Sequence, residues 1–384
     1  MKPYQIFESE RTTIEDRITG AKIHQLTDYM GHSVHPYFTE DGWYDNDSRM
    51  LFTSDRELAR NLYSLHLESG EISRLTNFSA GDIDLKSHMP VNKIKNESYF
   101  VHNNCLHAIS LDTLEIRPLY IIPHGFRFWG GMPTADGKYV VGGLMALDKA
   151  GANMQGKGYI GFRERFESKP DCRIIRIDVT NRSVDEVWQE YCLVGHINPS
   201  TTLPNIITFC HEGPWPLVDN RIWMLDMNTG KAIKIRERRI PEEQIGHEYW
   251  LADGETIAYQ VHDNTGTWFG FSKYNGEILR EAESCKHPQL SPDHVHSLTM
   301  DYVVGDSGRG IHAFQYNGKE YEKARLLCTH DSTFDFSAYH PHPRITNDGK
   351  HVIFNSMRSS YCNIYMIDIP SDFYSLPIYD LDME

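Results

Sequence analysis

Apolar and polar residues alternate through most of the chain in short runs separated by turn residues. One unit reads Met50-Leu51-Phe52-Thr53-Ser54, then Asn61-Leu62-Tyr63-Ser64-Leu65-His66-Leu67, then the turn Glu68-Ser69-Gly70-Glu71, then Ile72-Ser73-Arg74-Leu75-Thr76-Asn77. A period of two places alternate side chains on opposite faces of a strand. The unit returns at Ile222–Lys231 and, more weakly, at Gly270–Glu277. Turns of one type recur at Ala135-Asp136-Gly137-Lys138, Ala252-Asp253-Gly254-Glu255 and Asn347-Asp348-Gly349-Lys350, each ahead of an apolar run. Four short strands every roughly 40–60 residues are the pattern of propeller blades. The spacing predicts a single all-β domain over residues 1–384, a seven-bladed β-propeller. Its blades fall near 32–77, 83–120, 126–190, 195–240, 245–283, 287–330 and 338–370.

The last of these lacks an outer strand after Ile364–Pro370, while Ile18–Thr27 repeats the turn and outer strand of residues 67–76. The N-terminal stretch 18–27 is therefore expected to complete the seventh blade and hide two sheet edges. Residues 148–172 form the longest irregular insertion and are expected to overhang one face.

Composition changes the picture in two ways. With 38 Lys and Arg against 53 Asp and Glu, the net charge is −15, which argues against nucleic acid or anionic membranes as partners. An anionic substrate would need a local basic site. The seven cysteines are scattered and form no CxxC, which is the usage of reduced thiols. The N-terminus has no apolar leader, and no run of eighteen apolar residues occurs, so the cytoplasm is the expected location. A monomer or weak homo-oligomer is expected.

Histidine marks the segments that lead into the inner strands. These are Gly31-His32-Ser33-Val34-His35, His124-Gly125-Phe126-Arg127, Gly195-His196, Cys210-His211-Glu212, Gly246-His247-Glu248, His294-Val295-His296 and His340-Pro341-His342. With 20 histidines in 384 residues, so regular a placement points to a polar cluster on the central channel. On an extended chain His340 and His342 would point to one side, the minimum for a metal site. Pro341 and Pro343 stiffen the segment and bar it from a central strand. His211, Arg127, His196 and His35 are the expected substrate contacts, each also readable as a structural polar group. Among familiar motifs, His247-Glu248-Tyr249-Trp250-Leu251 is not HExxH, and Gly305-Asp306-Ser307-Gly308 reads as a turn. No GxSxG or P-loop occurs, which excludes hydrolase and NTPase readings.

Several motifs carry a resemblance. Phe209-Cys210-His211-Glu212-Gly213-Pro214 with Val218-Asp219-Asn220-Arg221, Gly246-His247-Glu248-Tyr249-Trp250, Val304-Gly305-Asp306 and His340-Pro341-His342-Pro343 appear in order. Together they resemble the oligogalacturonate lyases, seven-bladed propellers of polysaccharide lyase family 22. The resemblance implies a manganese-dependent β-elimination that cleaves short oligogalacturonides, notably the unsaturated dimer, to 4-deoxy-5-keto-uronate. It implies His247 as base and Arg221 for the substrate carboxylate. It implies metal ligands His340, His342, a sixth-blade His and a Gln three residues before His340. The sixth-blade ligand best matches His294, with His296 and His287 open. Ser337 stands where the family has Gln, a shorter and poorer ligand, so the fourth ligand is open and a shifted substrate is allowed.

The chemistry suits the residues. Removing a proton next to a carboxylate requires neutralising that carboxylate, which a divalent ion and an arginine do. Neutral His serves as base near pH 7. Mixed His and oxygen ligation suits manganese or another divalent transition metal. Two alternatives stand beside this reading: a non-catalytic scaffold propeller of the TolB or WD type, and a lyase for a different short oligouronide.

Overall fold

A computed structural model describes residues 3–82, 85, 89–147, 161–286, 290–332 and 339–379. Seven antiparallel sheets follow one another around a ring. Blades two to six are four-stranded meanders whose strands pair in sequence order. Two of the Asp-Gly turns join inner to second strands through one shared geometry. Thr134 and Thr346 each donate a hydroxyl hydrogen bond to the Asp two residues on, Asp136 and Asp348, at 2.6 Å. Gly137 and Gly349 follow at φ +65° and +73°, a left-handed turn position that glycine occupies without strain.

The N-terminus does close the ring. Lys22–Gln25 pairs antiparallel with Asn363–Asp368, with His24 opposite Met366. Two strands beyond the expected one extend this clasp. Thr12–Glu15 adds a fifth strand outside Lys22–Gln25, and Gln5–Phe7 adds an outer strand to blade one against Ile72–Arg74. The N-terminal segment thus braces the seventh and first blades together.

The core lies between blades rather than within any one sheet. Among the described residues seven apolar clusters occur, one at each junction of neighbouring blades, including the junction of seven with one. That last cluster sets Ile353, Ile364 and Met366 against Phe52, Tyr63 and Leu65. Period-two strands expose both faces, and stacking blade on blade covers both.

The third-blade insertion is shorter than expected at its C-terminal side. Asp171 and Cys172 already belong to the strand Asp171–Asp178, because Cys172 pairs with Met145 and packs into the junction with blade four. Residues 148–160 lie outside the described residues, and the remainder includes the helix Phe162–Glu167. Its Phe166 ring lies over Gly213, where a Cβ would come within 2.4 Å of it. This helix therefore covers the loop beside Glu212. Among the described residues no helix is long and apolar enough to cross a membrane.

Candidate functional site

Inner strands deliver histidines to the central channel through local backbone irregularities. In Val194–Pro199 the ladder slips between Gly195 and Asn198, and in Gln244–Trp250 between Gly246 and Tyr249. His196 and His247 occupy these bulges at φ +44° and +53°. A bulge re-aims a side chain that regular pleating would send into a blade junction. His342 likewise takes φ +44°, just before the strand Arg344–Ile345. The His340–His342 pair thus converges through a left-handed residue, not through the simple extended spacing expected.

Three imidazoles meet at one point. His294, His340 and His342 each offer a ring nitrogen, all within 4.8 Å of one another. The ring centroids of His294 and His342 are 4.2 Å apart, and those of His294 and His340 5.6 Å. Two carboxylates back this cluster. Asp293 lies 3.0 Å from Nδ1 of His294 and 3.3 Å from Nδ1 of His340, and Asp306 lies 3.6 Å from His294. Asp306 also accepts the backbone N–H of His294 at 2.6 Å, which fixes the start of this strand. Burial opposes a charged His294, but Asp306 and then Asp293 carry its pKa up to about 10. The pocket is thus built to hold positive charge. Nε2 of His342 is buried without a hydrogen-bond partner, and burial with neighbouring imidazoles holds that ring well below the usual histidine range. A buried nitrogen lone pair facing two other imidazoles, with carboxylates behind, fits a divalent transition cation. Metal would displace the proton that the carboxylates favour.

His247 stands next to this cluster, its ring centroid 4.7 Å from that of His294. Burial, and then the charge of His294, push its pKa down to about 3, so the ring is neutral. Gln260 sets the tautomer. Its Nε2 donates to the Pro292 carbonyl at 3.2 Å, so its Oε1 must accept from Nδ1–H of His247 at 2.9 Å. Nε2 of His247 is left with the lone pair.

The second half of the site is an ion network across blades four and five. Arg221 precedes the strand Ile222–Asp226 and is 8% exposed. Its Nη1 lies 3.0 Å from Glu212, and its Nε 3.4 Å from the fully buried Glu248. The guanidinium stacks over Trp215 at 5.6 Å. Glu212 also meets Nε2 of His196 at 3.1 Å. Although burial alone would raise it, Arg221 and His196 hold the Glu212 carboxyl well below the usual carboxylate range. Arg221 therefore forms an interblade ion pair.

Two aromatic residues tie the halves together, and the motif reading singled out neither. Phe38, 1% exposed, reaches from blade one across the channel floor to within 6.4 Å, centroid to centroid, of His247, His294 and His342. Tyr37 packs edge-on to His342 at 4.9 Å and lies 6.2 Å from His196. Its hydroxyl forms no hydrogen bond with the described residues.

Three expected residues take other places. His35 is buried with Nδ1 2.6 Å from the Pro36 carbonyl and Nε2 3.2 Å from that of Pro341, so it braces the His340–His342 segment and has no nitrogen left for substrate. His211 is engaged at both nitrogens, by Asp219 at 2.7 Å and Glu190 at 3.0 Å, and locks the junction of blades three and four. His296 accepts the N–H of Ile345 and stacks on Tyr249, which removes it as a metal ligand. Arg127, at the start of the inner strand Phe126–Pro133, is exposed and forms no ion pair with the described residues. Ser337 and His287 lie outside the described residues.

Taken together, these features define a seven-bladed propeller with a three-histidine cluster able to hold a cation, a neutral imidazole beside it and a buried arginine. The model of the family described as oligogalacturonate lyase matches residues 5–269, and the chain belongs to that family. It is 26% identical to an oligogalacturonide lyase of Pectobacterium atrosepticum over 384 residues, 93% of this chain and 96% of that one. It is also 26% identical, over 387 residues, to the oligogalacturonate lyase of Dickeya dadantii, again covering 93% of this chain and 96% of that one. A solved oligogalacturonate lyase in complex with manganese superposes with TM-score 0.86 at 21% identity, covering 97% of this chain and 99% of that one. That of Vibrio parahaemolyticus gives 0.85 at 23% identity with the same coverage. The fold is thus the lyase propeller, and membership makes the chain a lyase rather than a non-catalytic scaffold.

Proposed function

We propose that this protein cleaves short oligogalacturonides, the unsaturated dimer among them, by β-elimination to 4-deoxy-5-keto-uronate, with a divalent cation, manganese or a relative, held by His294, His340 and His342. The observation that carries the proposal is the neutral, tautomer-fixed His247 packed against the three-histidine cluster. When bound, the cation neutralises the uronate carboxylate and so acidifies the neighbouring C–H. Arg221 supports the same charge through Nη2, its orientation set by Glu212 and Glu248. Nε2 of His247 takes the C5 proton, the C4–O bond breaks as the C4–C5 double bond forms, and the leaving oxygen takes up a proton. Tyr37, beside His342 and His196, is the donor this reading assigns to that oxygen.

His196 and Arg127 remain the proposed substrate contacts, the first at the Glu212 end of the channel and the second at its rim. Asp293, beside His294 and His340, would supply an oxygen of the kind manganese prefers. The same reading places the enzyme in the cytoplasm, where its seven scattered cysteines would stay reduced.

The test is mass spectrometry of products from unsaturated digalacturonate and from other short oligouronides, with and without added Mn²⁺. Elimination leaves fragments whose masses sum to the substrate, whereas hydrolysis adds water. Cleavage of another oligouronide in preference would move the specificity. No cleavage of any of them, with metal present, would overturn the proposal.

A further inference from the structure

One cavity lies apart from the histidine channel. It has a volume of about 610 Å³ and opens between blades six and seven. Its lining includes three arginines, Arg17, Arg309 and Arg358, facing two carboxylates, Glu15 and Asp331. Such a local excess of positive charge is unusual on a chain whose net charge is −15.

The three arginines differ in how far the protein has used them. Arg358 is committed: its Nη2 donates to the Thr329 carbonyl at 2.6 Å, and the side chain is 16% exposed. Arg309 is 65% exposed and touches Asp331 through one nitrogen at 2.9 Å. Asp331 is shared with Arg358 at 3.4 Å, so one carboxylate serves two guanidiniums. Arg17 is exposed and forms no ion pair with the described residues. Among the described residues the remaining N–H groups of Arg17 and Arg309 meet no carboxylate, and forked guanidinium donors match carboxylate and phosphate oxygens. Apolar walls from Leu326 and Tyr379 complete the pocket, giving a ring or carbon skeleton a surface to lie on.

Topology sets the cavity on the same side of the ring as the catalytic channel. In each meander the inner strand runs away from the channel mouth and the second strand returns to it. Arg358 follows the second strand His351–Ser356, as Glu212 follows Ile206–His211, and Arg309 sits in the equivalent turn before Gly310–Gln315. Hydrogen bonds link the two regions. Ser332 donates to the carbonyl of Asn355, and Asn355 Nδ2 donates to the carbonyl of His340.

We infer that this cavity is a second ligand site for a sugar-sized organic anion, its carboxylate or phosphate bridged by Arg17 and Arg309 and its body against Tyr379 and Leu326. The inference is independent of the lyase chemistry, since none of these residues lies in the channel. The size falls within the range of small-molecule sites.

The experiment is calorimetric titration of the wild-type protein and of the double variant Arg17→Ala/Arg309→Ala. The probes are D-galacturonate and, separately, inorganic phosphate and glucose 6-phosphate. The expected result is one more equivalent bound by wild type than by the variant, or at least a tenfold loss of affinity in the variant. Turnover of unsaturated digalacturonate should be unchanged between the two. A response to galacturonate alone identifies a carboxylated sugar as ligand, and a response to the phosphates identifies a phosphorylated one. Equal binding by both proteins would overturn the inference. So would displacement of every probe by modest sodium chloride, which marks an adventitious ion only. Failure here leaves the lyase assay untouched, and failure of that assay leaves this titration readable.

Discussion

His35 sets its Nε2 3.2 Å from the carbonyl oxygen of Pro341, the one residue between His340 and His342. One imidazole from blade one thereby fixes the peptide that aims two imidazoles of blade seven. Supporting groups of this kind change metal affinity by about 10–100-fold when removed. His35→Phe is therefore expected to weaken metal binding by that order, with turnover recovered at high metal. A chelator-competition titration measures it, and unchanged affinity would remove the bracing role.

The pairing of Gln260 with His247 leads to a second expectation. His247→Ala should lower kcat by on the order of 10²–10⁴, the usual worth of a general base, with metal content retained. Gln260→Leu should lower kcat by about tenfold or more, because the ring can then present Nδ1 rather than Nε2. KM and metal stoichiometry should stay near wild type in both. Loss of metal in either variant would mean that the two residues serve the cation instead.

Metal removal tests the three-histidine cluster directly. Dialysis against a chelator should abolish turnover, and Mn²⁺ should restore it. His342→Ala should bind no metal even at millimolar concentration. Saturating metal should also stabilise the wild type, by about 2.7 kcal/mol when the free ion is a hundred times its dissociation constant. Thermal unfolding with and without metal reads this, and His342→Ala should show no such shift.

Glu248 is fully buried beneath Arg221. Neutralising one partner of a buried pair leaves the other charge poorly compensated, at a cost of about 3 kcal/mol. Glu248→Gln is expected to lose stability of that order in urea unfolding and to raise KM, since the guanidinium is no longer held in place. A stable variant with normal KM would show that Glu212 alone positions Arg221.

His211 gives a pH dependence of stability. Burial would lower its pKa, but hydrogen bonds with Cys192, Glu190 and Asp219 carry it up to about 10 from an ordinary 6.5. A raised histidine stabilises in its charged form. Its contribution is complete below pH 6.5 and is lost as pH rises through about 10. The stability gap between wild type and His211→Gln should therefore narrow across that window. A gap that stays constant with pH would mean that the ring packs as a neutral group.

The ring of blades was legible because its signals are local. Asp136-Gly137 and Asp348-Gly349 state their turns within a few residues, and Ile18–Thr27 repeats a unit found elsewhere in the chain. The convergence of His294, His340 and His342 could be drawn from motif order. What was not legible depends on geometry across blades. No spacing rule says that His196 and His247 sit in bulges, or that His35 and His211 spend both nitrogens on carbonyls and carboxylates. Tyr37 and Phe38 carry no motif of their own, and only the closed ring brings them beside histidines some 160 to 300 residues away in sequence. Asp293 adjoins a proposed ligand, but nothing in its neighbours distinguishes it from a surface carboxylate.

The clasp between Lys22–Gln25 and Asn363–Asp368 also sets a timetable for biosynthesis. The ribosome makes one half of the seventh blade before the other six blades and the other half after them. Until the late half emerges, the early half has no sheet to join, and His340 and His342 have no scaffold. A nascent chain that stops short of Asn363–Asp368 therefore carries His247 and Arg221 on a ring that has not closed.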